Sequence, residues 1–303
     1  MSKIKYYRRK LKSKLYDLTN KLLYGCGMGS TGVVNKRELR IAGLQRTGNH
    51  AVINWIFAQS PETKCYLNCV KPDTDPYLSF ERRGTVREFQ KDFFTKFNIS
   101  AERLGRFSRK ELLVYSYEEE FLEDVFCSGK FEANHDRWIG KSAERFDMII
   151  LRDPYNLFAS RLKKEEDINA NRYSLKKDGE RETVIKIWKS YAREFTGKTS
   201  LIKNKQLHIN YNKWFLEKEY RRELAESLGL EFSDDAIDQV LSIGGGSSFD
   251  RTSKDSSGTQ MKVLERWNHY KDDENFINLF KDNELVELSE EIFGHIPGTE
   301  IFR

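Results

Sequence analysis

The stretch from Leu39 to Ile53, LRIAGLQRTGNHAVI, leaves an apolar run through Gly43, Arg46, Thr47, Gly48, Asn49 and His50 and continues as a helical pattern. Those residue types suit an anion. Gly43 and Gly48 permit close backbone approach, a helix start presents unsatisfied N–H groups and the positive end of a dipole, and Arg46 adds a rigid fork of donors. A loop built for a nucleoside triphosphate and magnesium reads Gly-x-x-x-x-Gly-Lys-Ser/Thr. Here Asn49 stands in the lysine's place and His50 in that of the magnesium-binding hydroxyl, which argues against an ordinary kinase or nucleotidase. A second anion site is suggested by FDMIILRDPYNLFASRLKK, residues 146–164. Arg152 ends an apolar strand pattern, Asp153-Pro154 opens a helix, and Ser160 and Arg161 lie about two turns along it. The C-terminal edge of a strand is where an open α/β sheet binds ligands.

Short apolar runs must hold these residues in place. They occur at 38–44 (ELRIAGL), 64–70, 111–117, 146–152 and 206–211, alternating with helical patterns at 49–59, 154–166, 180–195, 212–228 and 272–292. Alternation of this kind predicts an α/β, three-layer domain with a central, mostly parallel sheet of about five strands flanked by helices. The folded domain is expected to occupy 35–303. Residues 1–34 form a separate element, a basic amphipathic helix over 1–24 with Ile4, Leu11, Leu15, Leu18 and Leu22 at helical spacing, followed by the Gly-rich linker GCGMGSTG. That helix either packs on the domain, the reading the sequence favours, or makes peripheral contact with an anionic membrane surface. A long polar stretch, GGGSSFDRTSKDSSGTQ at 244–260, has the length of a functional or disordered loop.

Bulk composition excludes several classes. Lys and Arg number 52 against 47 Asp and Glu, a formal net charge of +5 dispersed along the chain, so a dedicated nucleic-acid binder is not expected. The four cysteines, Cys26, Cys65, Cys69 and Cys127, form no Cys-x-x-Cys pair, which points to a reducing compartment and away from zinc. No apolar run approaches the roughly 18 to 20 residues of a membrane span and no secretory h-region is visible, so a cytoplasmic protein is expected.

The two anion-binding stretches resemble the sulfotransferases that use 3′-phosphoadenosine 5′-phosphosulfate (PAPS). In that family a strand-loop-helix of the form Pro-Lys/Arg-Ser-Gly-Thr/Asn-Thr holds the 5′-phosphosulfate, and an arginine followed eight residues later by serine holds the 3′-phosphate. Gln45-Arg46-Thr47-Gly48-Asn49-His50 and the pair Arg152 and Ser160 look like these motifs. Residues 207–232 and the segment VLERWNHYKDDENFINLF (263–280), with Arg266, Trp267 and Asn268, are similar to further family segments, so the resemblance covers roughly 38–293. It implies a P-loop-like phosphosulfate-binding loop, PAPS as sulfuryl donor, no required metal, and a carbohydrate or other small-molecule acceptor. There are departures: Gln45 replaces the usual proline, His50 a threonine, and Tyr115, Ser116 and Tyr117 stand where the third strand of the family carries Lys-Thr-His.

On this resemblance Arg46, Thr47, Gly48, Asn49 and His50 hold the 5′ end of the donor, and Arg46 and His50 stabilise the leaving phosphate. Glu118, at the end of the third strand, is the first candidate for the base, a role glutamate has in the family's carbohydrate-acting branch. His50 and His135 are the alternatives, since neutral imidazole is the usual proton acceptor near pH 7. Arg251 and Lys254 are spaced like the cations that close over the 3′-phosphate in the family. Trp188, Tyr191, Tyr211, Trp214 and Phe249 are candidates to stack on adenine. The competing readings are a P-loop-type small-molecule kinase and a non-catalytic nucleotide-binding relative.

Overall fold

Residues 3–30, 32–60, 63–80, 98–167, 171–239, 258 and 261–302 are described by the structure, a computed structural model. Helix α1 (Lys3–Gly25) is followed by β1 (Val33–Gly43), α2 (Asn49–Ala58), β2 (Lys64–Leu67), β3 (Lys110–Glu118), α3 (Gly129–Ile139), β4 (Lys141–Leu151), α4 (Pro154–Asp167), α5 (Asp178–Phe195) and β5 (Lys205–Asn210). Shorter helices occupy Pro76–Ser79, Ile99–Arg103 and Leu122–Phe126. The five strands form one parallel sheet in the order β2-β3-β1-β4-β5, flanked by helices as the sequence predicts. β2 pairs with β3 in the register Lys64 opposite Leu112 to Leu67 opposite Tyr115. Ile41 and Ala42 of β1, Leu112 to Tyr115 of β3 and Met148 to Leu151 of β4 are buried in unbroken runs, the pattern of parallel strands covered on both faces.

The chain divides into two compact units, one of Met1–Ile41, Glu62–Tyr117 and Glu123–Asp147, the other of Ala42–Pro61, Glu118–Leu122 and Met148–Arg303. The first is organised around buried charge. Glu38 and Arg40 project from the same face of β1, two residues apart. Arg40 makes a bidentate pair with Asp147 at 2.8 and 2.9 Å, and its Nη1 reaches Glu132 at 2.9 Å. Glu38 accepts the Tyr115 hydroxyl at 2.6 Å and lies 2.7 Å from His135 Nε2, whose Nδ1 is 2.9 Å from Asp136. Burial favours the neutral form of Glu38, but His135 and Arg145 outweigh it and lower its pKa to about 2. His135 is thus committed to a structural ion pair.

Two long helical patterns are broken in the structure. The pattern at 212–228 becomes Tyr211–Leu216 and Lys218–Ser227, because Glu217 is extended and its N–H closes onto Lys213 O at 2.8 Å. The pattern at 272–292 becomes Glu274–Asn278, a 3-10 turn at Leu279–Lys281 and Asn283–Phe293, the last helix capped by Asp282, which accepts from Leu285 N at 3.1 Å. Helix α3, absent from the sequence reading, is capped by Ser128 accepting from Phe131 N at 3.0 Å.

Burial lowers the pKa of His135, yet Glu38 beside it wins and the net shift is upward from 6.5. A raised histidine pKa contributes stability that is complete below the unfolded value and is lost as pH rises through the folded one. The melting temperature should therefore fall as pH rises from the unfolded value of 6.5 through the raised folded one, and His135→Gln should flatten that slope. An unchanged slope in the variant would show that another group governs it.

Candidate active site

The opening loop belongs wholly to the second unit. Thr47 N donates to Leu44 O at 3.3 Å, and Arg46, at φ +71°, takes the left-handed conformation that a non-glycine residue adopts only under local constraint. Gly48 ends the turn at φ +100° and is the N-cap of α2, with no side-chain cap. A Cβ at Gly48 would lie 2.1 Å from the Tyr211 ring, and one at Gly43 would lie 2.2 Å from Asn49 Oδ1. The glycines therefore make room for side chains of this chain, Asn49 at Gly43 and Tyr211 at Gly48. The Asn49 amide turns back and donates to Leu44 O at 3.1 Å, locking the loop against the helix start. Thr47 is fully buried, and its hydroxyl has no hydrogen-bond partner among the described residues. His50 is half-buried in the first turn of α2.

Arg152 and Ser160 come together as their spacing predicts. Arg152, 2% exposed, donates through Nη1 to Ser160 Oγ at 3.3 Å and to Arg46 O at 3.1 Å, and through Nη2 to Val263 O. Its guanidinium lies over the Tyr211 ring, 5.3 Å from the centroid. Ser160 Oγ donates to Asn156 O at 2.7 Å and accepts from Arg266 Nη1 at 2.9 Å. Asn156 also accepts Arg266 N at 2.8 Å, which fastens the 3-10 turn Arg266–Tyr270 to α4. Asp153 holds the base of this face, accepting from Asn156 N at 2.8 Å and from Asn212 Nδ2 at 3.0 Å. Asp153, Asn156 and Ser160 share one side of α4 through three- and four-residue steps.

The acidic run at 118–120 is a turn, and the helix after it starts only at Leu122. Glu119 has φ +58°, and its N–H donates to Gly43 O at 3.1 Å. Buried Arg161 pairs with Glu119 and also donates to Gln45 O at 3.4 Å and Tyr173 O at 2.7 Å. Arg172 pairs with Glu120 at 2.6 Å, and its Nη1 reaches Glu119 O at 3.1 Å. Glu118 is half-buried and lies within electrostatic reach of Arg46. Desolvation, then Arg152, hold the Arg46 guanidinium below its ordinary pKa, whereas burial raises the Glu119 carboxyl above its own. Arg46, Arg152 and Arg161 thus concentrate positive charge around the loop, with Glu118 acting on Arg46, Asp153 on Arg152 and Glu119 paired to Arg161.

The aromatic candidates are placed unevenly. Trp188 is buried and donates to Arg152 O at 3.0 Å, Tyr191 donates to Glu120 O at 3.1 Å, and Trp214 packs edge-on against Trp55. Tyr211 alone of these four lies against both Gly48 and Arg152. Phe249, Arg251 and Lys254 lie outside the described residues. Sequence reasoning missed Glu119, Arg161, Arg172 and Asn156 as organisers of the site. Helical spacing from Asp153 could have found Asn156, but nothing local pairs Arg161 or Arg172 with Glu119, 42 and 53 positions earlier in the chain, far beyond the three- and four-residue reach of a helix face.

No family model and no curated protein sequence matches the chain. Among solved structures, the sulfotransferase domain of a Synechococcus olefin synthase superposes with a TM-score of 0.50 at 12% identity, covering 88% of this chain and 98% of that one. A mouse sulfotransferase complexed with PAP, at 12% identity, covers 89% of this chain and 93% of its own, with a TM-score of 0.47. The fold is that of the sulfotransferases.

Gly48→Ala should destabilise the protein by about 1 to 3 kcal/mol, since it adds both left-handed strain and a clash with Tyr211. In the double variant Gly48→Ala/Tyr211→Ala the two costs should be less than additive in thermal or urea unfolding, because removing the ring removes the clash. Strict additivity would mean that the two residues do not press on one another.

Proposed function

We propose that the protein is a sulfotransferase that moves a sulfuryl group from PAPS to an acceptor hydroxyl. The observation that carries this reading is Arg152, a buried guanidinium whose hydrogen bonds end on neutral oxygens, in the same cluster as the Arg46 loop. Burying such a charge with no carboxylate among these hydrogen-bond partners, and with Asp153 acting on it only through space, is costly, and an anionic ligand offsets the cost. In this reading the 5′-phosphosulfate lies on the loop 45–50 at the start of α2, and the 3′-phosphate meets Arg152, Ser160 and Arg266. The Asn49 side chain serves the loop, so Asn49 contributes to the ligand through its main chain.

For transfer, the acceptor oxygen attacks sulfur in line as its proton passes to a base. The sulfur–oxygen bond to the 5′-phosphate breaks, its electron pair staying on the departing phosphate of PAP. Arg46, the loop N–H groups and His50 stabilise that charge, each well-placed donor contributing about 2.7 to 4 kcal/mol to the barrier reduction. Glu118 is assigned as the base: it borders Arg46, whereas Glu119 is held in its ion pair with Arg161. The acceptor is assigned to the saccharides or other small hydroxyl compounds.

PAP at about 100 times its dissociation constant, without metal, should stabilise the protein by about 2.7 kcal/mol. Stabilisation only by magnesium-ATP would point to a kinase instead. Arg152→Ala should cost about 1.5 to 3 kcal/mol of PAP affinity and Ser160→Ala about half as much. Neither should weaken adenosine 5′-phosphosulfate, which lacks the 3′-phosphate, to the same degree. Equal losses on both nucleotides would refute the assignment of that subsite.

Glu118→Gln should lower turnover about 10²- to 10⁴-fold with PAP affinity nearly unchanged. This is read by mass spectrometry of products formed from PAPS and a panel of hydroxyl acceptors. Full turnover in the variant would remove Glu118 from the base role. PAP binding with no transfer by the unaltered protein to any acceptor would favour a non-catalytic relative.

A further inference from the structure

Helix α1 is attached to its unit by its polar side. Asn20, fully buried, donates to Arg103 O at 3.2 Å and to Arg137 O at 3.1 Å. Asp17 accepts from Arg137 Nη1 at 2.8 Å and from Trp138 Nε1 at 3.3 Å. The Tyr16 ring lies under the Arg103 guanidinium, 5.6 Å from its centroid. The usual surface helix does the reverse, burying its apolar stripe and leaving its polar residues in water.

That stripe faces outward. Tyr7, Leu11, Leu15, Leu18 and Leu22 are 65%, 71%, 63%, 57% and 62% exposed. Steps of four, four, three and four residues, at about 100° each, gather them into an arc of about 80° centred opposite Asn20. Five large apolar side chains in one exposed row are a patch of the kind that marks an interaction surface. Exposed basic residues lie along both sides of the row: Arg8 and Lys12 on one flank, Lys10, Lys14 and Lys21 on the other. Between residues 7 and 25 the one acidic residue is Asp17, and it is engaged by Arg137.

We propose that α1 is an interfacial anchor that lays this stripe into the surface of an anionic lipid bilayer. The charge pattern selects the occupant. Lysine and arginine stems cover the edges of the apolar row while their heads reach toward anionic headgroups, the arrangement of a helix lying in the plane of an interface. A second copy packed stripe to stripe would bring like-charged flanks together, which is unfavourable. Among the described residues no helix is long and apolar enough to cross a membrane, so the contact is peripheral. The attachment through Tyr16, Asp17 and Asn20 keeps α1 fixed to its unit while the opposite face stays available, so lipid binding requires no unfolding. This inference is independent of the donor chemistry.

Flotation of the full chain with vesicles tests it. The protein should float with vesicles of phosphatidylcholine containing about 30% phosphatidylserine, much less with phosphatidylcholine alone, and less as salt rises above physiological strength. Leu15→Glu/Leu18→Glu should abolish binding with an unchanged melting temperature, since both positions are exposed. Lys10→Gln/Lys12→Gln/Lys14→Gln should weaken it about a hundredfold, at about fivefold for each basic residue near the surface. Failure to float with the anionic vesicles overturns the proposal, as does binding that survives Leu15→Glu/Leu18→Glu. A concentration-dependent dimer that those two substitutions dissociate, without vesicle binding, assigns the stripe to an interface between copies of this chain instead.

Discussion

A guanidinium keeps its proton at any ordinary pH, so a chain that buries one must surround it with acceptors. Most of the buried arginines here are met by carboxylates: Arg40 by Asp147, Arg161 by Glu119, Arg221 by Asp234. Arg152 is treated differently. It sits just beyond the C-terminal end of β4, and the oxygens it reaches belong to Ser160 and to the backbone at Arg46 and Val263. Neutral oxygens satisfy its geometry, and its charge is met through space by Asp153 rather than by a paired carboxylate, an arrangement that leaves part of the desolvation cost unmet. The hydrogen-bonded frame of Asp153, Asn156 and Arg266 keeps that charge in place.

The loop from β1 to α2 depends on close packing as much as on electrostatics. Its glycines are needed because Tyr211 and Asn49 press against them, and Tyr211 in turn supports Arg152. A single aromatic ring therefore couples the shape of the loop to the position of Arg152. The turn at Glu118 to Glu120 is fastened to the same loop by Arg161 and Arg172, with Glu118 left bordering Arg46. Adjacent acids thereby differ in setting: Glu119 is buried in its ion pair with Arg161, and Glu118 is half-buried within electrostatic reach of Arg46.

The first unit shows the same economy with polar groups in another setting. Glu38 is ionised in the interior because His135, Tyr115 and Arg145 converge on it. On α1, polar contacts replace hydrophobic burial as the means of attachment, which leaves the leucines for another surface.

Much of this was legible along the chain because the signals are local. Unbroken apolar runs specify strands covered on both faces, a glycine-bounded turn leads from a strand into a helix, and Ser160, about two turns along α4, is reached by the long Arg152 side chain from the end of β4. The breaks at Glu217 and Asp282 were not legible, since the extended backbone at Glu217 and the Asp282 cap interrupt patterns that otherwise read as continuous helices. Nor was the different placement of Glu118 and Glu119, which rests on a left-handed turn and on Arg161, 42 residues away from Glu119. The amphipathic period of α1 was evident from its leucines, and the sequence favoured a helix packed on the domain over one at a membrane surface. Only tertiary structure decided the orientation, because periodicity defines two faces of a helix but carries no information about which of them finds partners, here Arg103 and Arg137 for Asn20 and Asp17.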